Sequence, residues 1–437
     1  MRMTERNAVV AALAVVVVGC STGGQPVPGS APPGTGTSAA VPVVASFDPP
    51  RAFGTVGVPL QGMGTTLMSK PDVPPPVVLS GTTAYIADVD HVQAVDTRSG
   101  SVITTVAPKA PATPLDTSNI AGGLPTPGPP VLIAAGGKTL VGVPFVVTLP
   151  GQGTTPSRTA VQVSALDTTT NATVWTATLP PPAGVGADSA YGSVTASLVG
   201  TQGDTVVLSV TDGDHARVDA LDASTGQGRW SKDDMHGQAV TGDVVVGITQ
   251  PAGTGSQQVT AVSVGDGSPR WSVPNLSAAS VSTAGPALVE LDAHDYGTGH
   301  PIFQLLSAAT GAVAASVNPP PAGSIQPVLH CRYDGTSVTV CASASTTDGA
   351  ALGLDAATGH VLWQLPDTTT NRVAPAVTTV WHGAVYGTTT NGPVVLDATT
   401  GADREAAPGI APDVVDTTTG IAYDDARRSF AAYPATH

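Results

Sequence analysis

A nine-residue frame recurs along the chain and limits its fold more than any other feature. In its fullest form an Asp is followed four positions later by Gly and four positions after that by Trp. Asp355–Gly359–Trp363 in "DAATGHVLW" and Asp222–Gly226–Trp230 in "DASTGQGRW" are complete copies. "DTTTNATVW" keeps Asp167 and Trp175 with Asn171 at the Gly position, and "SVGDGSPRW" keeps Gly267 and Trp271 behind Ser263. Three copies lack the Trp: Asp96–Gly100, Ser307–Gly311 and Asp397–Gly401. Four of the five Trp occupy the same place in the frame, which composition alone does not produce. The Gly-position marks fall at 100, 171, 226, 267, 311, 359 and 401, and the last four intervals are 41, 44, 48 and 42 residues. Self-similarity at that period belongs to solenoids or propellers.

The residues beside the frame choose between them. Each copy follows a short apolar or alternating run, such as "VQAVD", "VQVSALD", "ARVDALD" or "ALGLD", and precedes another, such as "ATVWTATL" or "HVLWQL". Two such runs joined by a short loop with Gly near its end form a hairpin, because Gly at positive φ lets a type I turn re-enter the sheet. Asn171 tolerates the same left-handed conformation. An Asp opening the loop can cap its amides, which Ser263 and Ser307 do less well. Further β-rich runs such as "TAYIAD", "TLVGVPFVVTL" and "DTVVLSVT" lie upstream, and no useful helical period appears beyond the first twenty residues. Four short strands per repeat of about 40–50 residues read as blades of an all-β propeller. The Trp then sits on the last strand, where its flat ring can pack against the neighbouring sheet. Seven marks count seven blades. Residues 412–435 hold about three more strand-like runs, and "AFGTVGVPL", residues 52–60, is a lone one. Joining them would complete an eighth blade and remove exposed edges. The expectation is therefore eight four-stranded blades closed by an N-terminal strand, with seven blades as the alternative.

The string "ALGLDAATGHVLWQL", residues 351–365, resembles the repeat of the pyrroloquinoline-quinone-type β-propellers. That superfamily includes quinoprotein dehydrogenases and the propeller lipoprotein of the Gram-negative outer-membrane assembly machine. The resemblance covers roughly residues 75–435. It implies the fold and gives the Asp, Gly and Trp of the frame a structural role; it does not imply an activity.

The N-terminus bears on where such a domain works. Arg2 and Arg6 precede "AVVAALAVVVV", residues 8–18, an uncharged apolar run that ends in "VVGC", Val17 to Cys20. The run is shorter than the roughly 20 residues a bilayer span needs and suits a signal-peptide core. "VVGC" resembles the bacterial lipobox, which implies cleavage after residue 19 and acylation of Cys20, with palmitate among the attached chains. A plain secretory signal with an incidental Cys, or an uncleaved anchor, are the alternatives. Residues 20–46 carry no charge and abundant Gly, Pro and Ser until the folded domain begins at 47 and runs to 437. Such a segment cannot bury enough apolar surface to fold and would span roughly 30 Å as a coil. It reads as a tether. Removing residues 1–19 takes away Arg2, Arg6 and Glu5 and moves the formal charge from −15 to −16. A surface of that sign repels nucleic acid and anionic headgroups. Only 11% of residues are charged, and the Ala-, Thr-, Gly-, Val- and Pro-rich style resembles exported proteins of high-GC actinobacteria.

With Cys20 acylated, Cys331 and Cys341 remain, flanking "RYDGTSVTV". An even pair in an oxidising compartment favours a disulfide. Against it, a tight Asp334-Gly335 turn would set 331 opposite 338, so a bulge or longer loop must correct the register. Two buried free thiols are the alternative. No other feature supplies a reaction. The adjacent-cysteine pair typical of quinoprotein dehydrogenases is missing, and no carboxylate–amide set stands out as a Ca²⁺ cage. Catalytic residues, bound cofactor and metal are therefore expected to be absent. Asp88–His91, Asp212–His215 and Asp292–Asp295 pair carboxylates with His, but each lies at or beside a turn, where Asp is ordinary. Two long connections, residues 107–130 and 180–192, interrupt the repeat, and connections of that length are usually functional or disordered. The sequence thus points to a monomeric binding scaffold, lipid-anchored on the extracytoplasmic face of the membrane and engaging an envelope protein or wall-linked ligand. A quinone-dependent dehydrogenase and a small-ligand sensor are the competing readings.

Overall fold

The computed structural model describes residues 45–60, 75–113, 128–183, 194–212, 215–317, 328–343, 349–424 and 429–437. Cys20, the signal segment and nearly all of the tether lie outside them. The described residues form strands and turns, with no helix.

The strands are grouped into four-stranded antiparallel units in chain order. The first holds Val77–Ser80, Thr83–Ala87, Val92–Asp96 and Val102–Val106, and the second Val131–Ala135, Lys138–Leu149, Arg158–Asp167 and Thr173–Leu179. The third holds Thr195–Gln202, Thr205–Thr211, Ala216–Asp222 and Gly228–Asp233. A seven-stranded sheet follows, and it is two units sharing one strand. Pro269–Thr283 pairs through Trp271↔Ala261 with the fourth unit (His236–Thr241, Val244–Thr249, Gln257–Ser263). It then pairs through Val281↔Leu291 with the fifth (Leu288–Asp295, Pro301–Ser307, Val313–Ser316). The sixth unit runs from His330 to Leu365 and the seventh from Ala376 to Glu405. The last sheet joins Val414–Val415, Thr419–Asp424 and Ser429–Pro434 to Val58–Pro59, in the register Val58↔Ala432 and Pro59↔Ala431. The pairing expected of residues 52–60 with 412–435 is therefore present.

Successive units pack face to face. Leu140 faces the third unit, while Val141, Val143, Phe145 and Val147 face the first. Both faces of this sheet are buried, so its strands read as nearly continuous apolar runs. The same holds around the chain: one buried apolar cluster joins each unit to the next. The cluster of Leu79, Ala84, Ile86 and Val95 with Ile421, Phe430 and Ala432 joins the last unit to the first.

Cys331 and Cys341 form a disulfide and lie directly opposite each other. Of the two register corrections open to the sequence, the longer loop is the one present. Tyr333 pairs with Thr339, and the buried Asp334 carboxylate accepts from the amides of Thr336, Ser337 and Val338 at 2.8–3.0 Å, holding a wide turn in place of the tight Asp-Gly turn that would oppose the disulfide.

Candidate functional site

The repeat residues form locks between units. Asp96, Asp167, Asp222, Asp355 and Asp397 each accept from amides two and three residues on. The Lys138 ammonium beside Asp167 and the Arg229 guanidinium beside Asp222 hold those carboxyls down at about 2. Each of the four Trp in the frame reaches into the next unit's turn. Trp175 Nε1 donates to the Ala223 carbonyl at 2.9 Å, Trp230 to Val264 at 2.8 Å, Trp271 to Ala308 at 2.8 Å and Trp363 to Ala398 at 2.6 Å. The rings lie under Gly226, Gly267, Gly311 and Gly401, where no Cβ fits. Gly359, whose neighbour lacks Trp, faces Ala315, and Gly100 faces the Pro59 carbonyl of the closing strand. Asp295–Gly299 repeats the turn geometry without a Trp, with the Gly299 amide donating to the Asp295 carbonyl at 2.8 Å.

These locks also orient the units. In each, the turns between strands one and two and between strands three and four leave the sheet at one end. At the four junctions they bridge, Trp–Gly contacts place that end of one unit beside the same end of the next. Its turns are short: Gly81–Thr82, Gly136–Gly137, Gly203–Asp204, Gly242–Asp243 and the five-residue frame. Among the described residues, the long connections leave or enter their strands at the opposite end, at 107–113, 150–157, 180–183, 250–256 and 366–375, although Arg372 of the last reaches back to donate to the Gly401 carbonyl of the seventh unit's turn at 2.7 Å. The 107–130 connection begins pinned to the second unit. Thr113 donates to the Val146 carbonyl at 2.9 Å, Thr148 donates to that of Pro111 at 2.8 Å, and Lys109 donates its amide to Gln162 Oε1. Residues 114–127 lie outside the described residues. In the 180–192 connection, the buried Arg217 guanidinium holds the carbonyls of Pro180 and Pro181 while pairing with Asp219 at 2.9 Å.

The three carboxylate–histidine loops emerge at this variable end, in the first, third and fifth units. Among the described residues no hydrogen bond or ion pair joins one to another. Possible ligand atoms of Asp88, Asp90 and His91 lie within 4.8 Å of one another, but Asp88 caps the Val89 amide and Asp90 pairs with His91 Nδ1, as in an ordinary polar turn. Asp212 caps His215 and Asp295 caps Thr298. The buried Glu290 and the half-buried Asp413 had no sequence motif to mark them. Glu290 accepts from Ser282 Oγ and the Cys331 amide, both at 2.7 Å, and burial raises its pKa. Burial pushes Asp413 up to about 6.

Among the described residues of the variable end, a cavity of about 410 Å³ lies between the third and fourth units. Asp234, His236, Gln238, Thr249 and Gln257 furnish its polar wall. Gln238 Oε1 accepts from the Val281 amide at 2.8 Å and Gln257 Oε1 from the Ala279 amide at 2.7 Å, so both side-chain amides are fixed by their oxygens. Asp234, at φ 58°, and Ala278, at φ 47°, hold left-handed backbone beside it.

Residues 88–295 match the family model described as outer membrane protein assembly factor BamB. The repeats over that segment are similar to those of the pyrroloquinoline-quinone-like family. The match covers just under half of the chain. No curated protein matches it. Among solved structures, a quinohemoprotein alcohol dehydrogenase from Pseudomonas putida HK5 is similar at 12% identity and TM-score 0.43, over 90% of this chain and 76% of that one. KlHsv2 with an altered loop is similar at 8% identity and TM-score 0.38, over 81% of this chain and 94% of that one. A chain of the mitotic checkpoint complex is similar at 9% identity and TM-score 0.38, over 76% of this chain and all of that one.

Proposed function

We propose that the eight units close into one eight-bladed propeller, tethered by acylated Cys20 to the extracytoplasmic face of the membrane, and that it works as a binding scaffold whose recognition surface is the variable end. One observation carries the scaffold reading: the uniform turns and the inter-unit locks gather at one end and the long connections at the other. A rigid ring with its variation on one face is how a fold presents recognition loops. The apolar cluster between the last and first units supports closure. The lipobox-like "VVGC" and the uncharged tether support the anchor. The matched assembly-factor model suits a protein that engages other proteins. An envelope protein or wall-linked ligand is the partner class, with no catalytic step and no bound cofactor. The small-ligand sensor is the second reading, favoured by the cavity between the third and fourth units.

Site-specific photo-cross-linking in whole cells tests the scaffold reading. A cross-linking residue at Gln152 or Gly253, on the variable end, should yield adducts with an envelope component. The same residue at Thr225 or Ala357, in the uniform turns, should not. Equal adducts from both ends, or none from the variable end, would refute it.

A further inference from the structure

We propose that the cavity between the third and fourth units is a binding site for a neutral sugar. The inference rests on the reading of the variable end as the recognition surface and adds a ligand class to it. Its volume of about 410 Å³ suits one or two sugar residues, within the range of roughly 300–1,000 Å³ typical of small-ligand sites.

The wall chemistry selects the ligand. Among the described residues neither Lys nor Arg lines the cavity, and the charged one that does is Asp234. An anion would meet that carboxylate with no cation to offset it. The two glutamines are committed through Oε1 to the amides of Val281 and Ala279, which turns each Nε2 donor pair away from the backbone. Burial lowers the His236 pKa and so favours the neutral imidazole. Its Nδ1 lies 3.4 Å from Gln238 Nε2, and accepting there leaves the ring proton on Nε2 as a further donor. Fixed amide and imidazole donors beside a carboxylate acceptor match a ligand that both donates and accepts through hydroxyls. Ile248, Ala252 and Ala279 add small apolar wall for its C–H faces. A peptide would ordinarily seek an unpaired strand edge. Of the strands that furnish the glutamines, Gln257–Ser263 is paired on both sides while His236–Thr241 pairs on one side alone, so a peptide control is needed beside the sugars.

The backbone has been bent to make this wall. Ala278 is left-handed without being Gly, inside the bulge between Ser277 and Ser280 of the shared strand. Asp234 is left-handed in the connection entering the fourth unit, its amide donating to the Ala216 carbonyl at 2.8 Å. Strained residues persist where surrounding structure over-determines them, and they cluster at ligand sites.

Saturation-transfer NMR on the full chain, with N,N′-diacetylchitobiose and maltose as probes and trialanine as the peptide control, tests the site. At least one of the two disaccharides should receive saturation and trialanine should not. Ala252→Trp, which fills the cavity from an exposed loop, should weaken binding at least about tenfold. Asp234→Asn tolerates the same φ and should also weaken it, so the result does not hang on one variant. Transfer to neither sugar at millimolar concentration, transfer undiminished in both variants, or transfer to trialanine would overturn the proposal. Loss of sugar binding with variable-end cross-links intact would sink the sugar site alone; loss of the cross-links with sugar binding intact would sink the scaffold reading alone.

Discussion

Replacing Gly226 by Ala separates two costs that the repeat combines. Gly226 and Gly299 both sit at φ 71° and close turns of the same geometry. Ala in a left-handed conformation costs about 1–2 kcal/mol at either position. At Gly299 nothing lies within 4 Å of the added methyl. At Gly226 the methyl would meet the Trp175 ring, with Cδ2 at 2.9 Å, Cζ3 at 3.0 Å and Cε3 closer still. The ring cannot retreat easily: it is 8% exposed, and its Nε1 is held by the Ala223 carbonyl. Overpacking of that kind adds about 1–3 kcal/mol. Gly226→Ala should therefore cost about 2–5 kcal/mol against about 1–2 for Gly299→Ala. Urea unfolding of both variants, followed by tryptophan fluorescence and circular dichroism, measures the difference. In a Trp175→Leu background the excess at Gly226 should largely vanish, as a double-mutant cycle would register. Equal losses for the two single Ala variants, or an excess unchanged by Trp175→Leu, would refute the lock.

Cys20→Ala should abolish labelling of the chain by a radioactive fatty acid in growing cells, and persistent labelling would exclude acylation there. Replacing both Cys331 and Cys341 by Ala should lower stability by about 2–4 kcal/mol, since the enclosed loop is short; urea midpoints under non-reducing conditions read it. Asp413 is protonated when folded up to about pH 6, against an ordinary value near 3.9 in the unfolded chain. Its folded pKa is raised, so its contribution is fully present below about pH 4 and is lost as pH rises through about 6. Asp413→Asn should flatten that fall, as unfolding midpoints from pH 4 to 7 would show. Asp167 and Asp222 act with the opposite sign: their depressed pKa values give stability that is present above about pH 4 and lost as pH falls toward about 2. Replacing residues 114–127 by a Gly-Ser linker should leave the unfolding midpoint nearly unchanged, since long loops contribute little stability; a large drop would show that the segment belongs to the core.

The fold was legible because its defining contacts repeat. Each Trp–Gly lock leaves the same trace at the same spacing, so copies such as Asp222–Trp230 and Asp355–Trp363 identify one another. The closing strand was legible for a different reason: residues 412–435 had too few strands for a unit, and residues 52–60 had no partner. The cavity was illegible. Its glutamines stand in separate strands, and only the fold brings Gln238 and Gln257 to one wall. Glu290 was hidden likewise, because its partner Cys331 lies in the next unit. The Cys register was open in the sequence because "DG" signals a tight turn, whereas Asp334 binds three amides and widens it.

The separation of stability from variation follows from where the locks lie. A Trp bridging to the next unit fixes one end of both sheets, so substitution there is felt twice. At the other end the connections are free to vary in length between scattered ties to their neighbours, such as the one Arg372 makes by donating to the Gly401 carbonyl at 2.7 Å. The 107–130 connection shows the limit of that freedom: its first residues are tied down as a bridge, Ala112↔Val147, before the chain departs. The extended hairpin of Lys138–Leu149 and Arg158–Asp167 supplies the extra residues for that bridge, being longer than the five-residue strands of the first unit. A connection that recruits its own supporting strand is built to hold a position at its base, which a mere excursion would not require. That is the physical ground for placing recognition at this end, and for seeking the partner beside the second unit first.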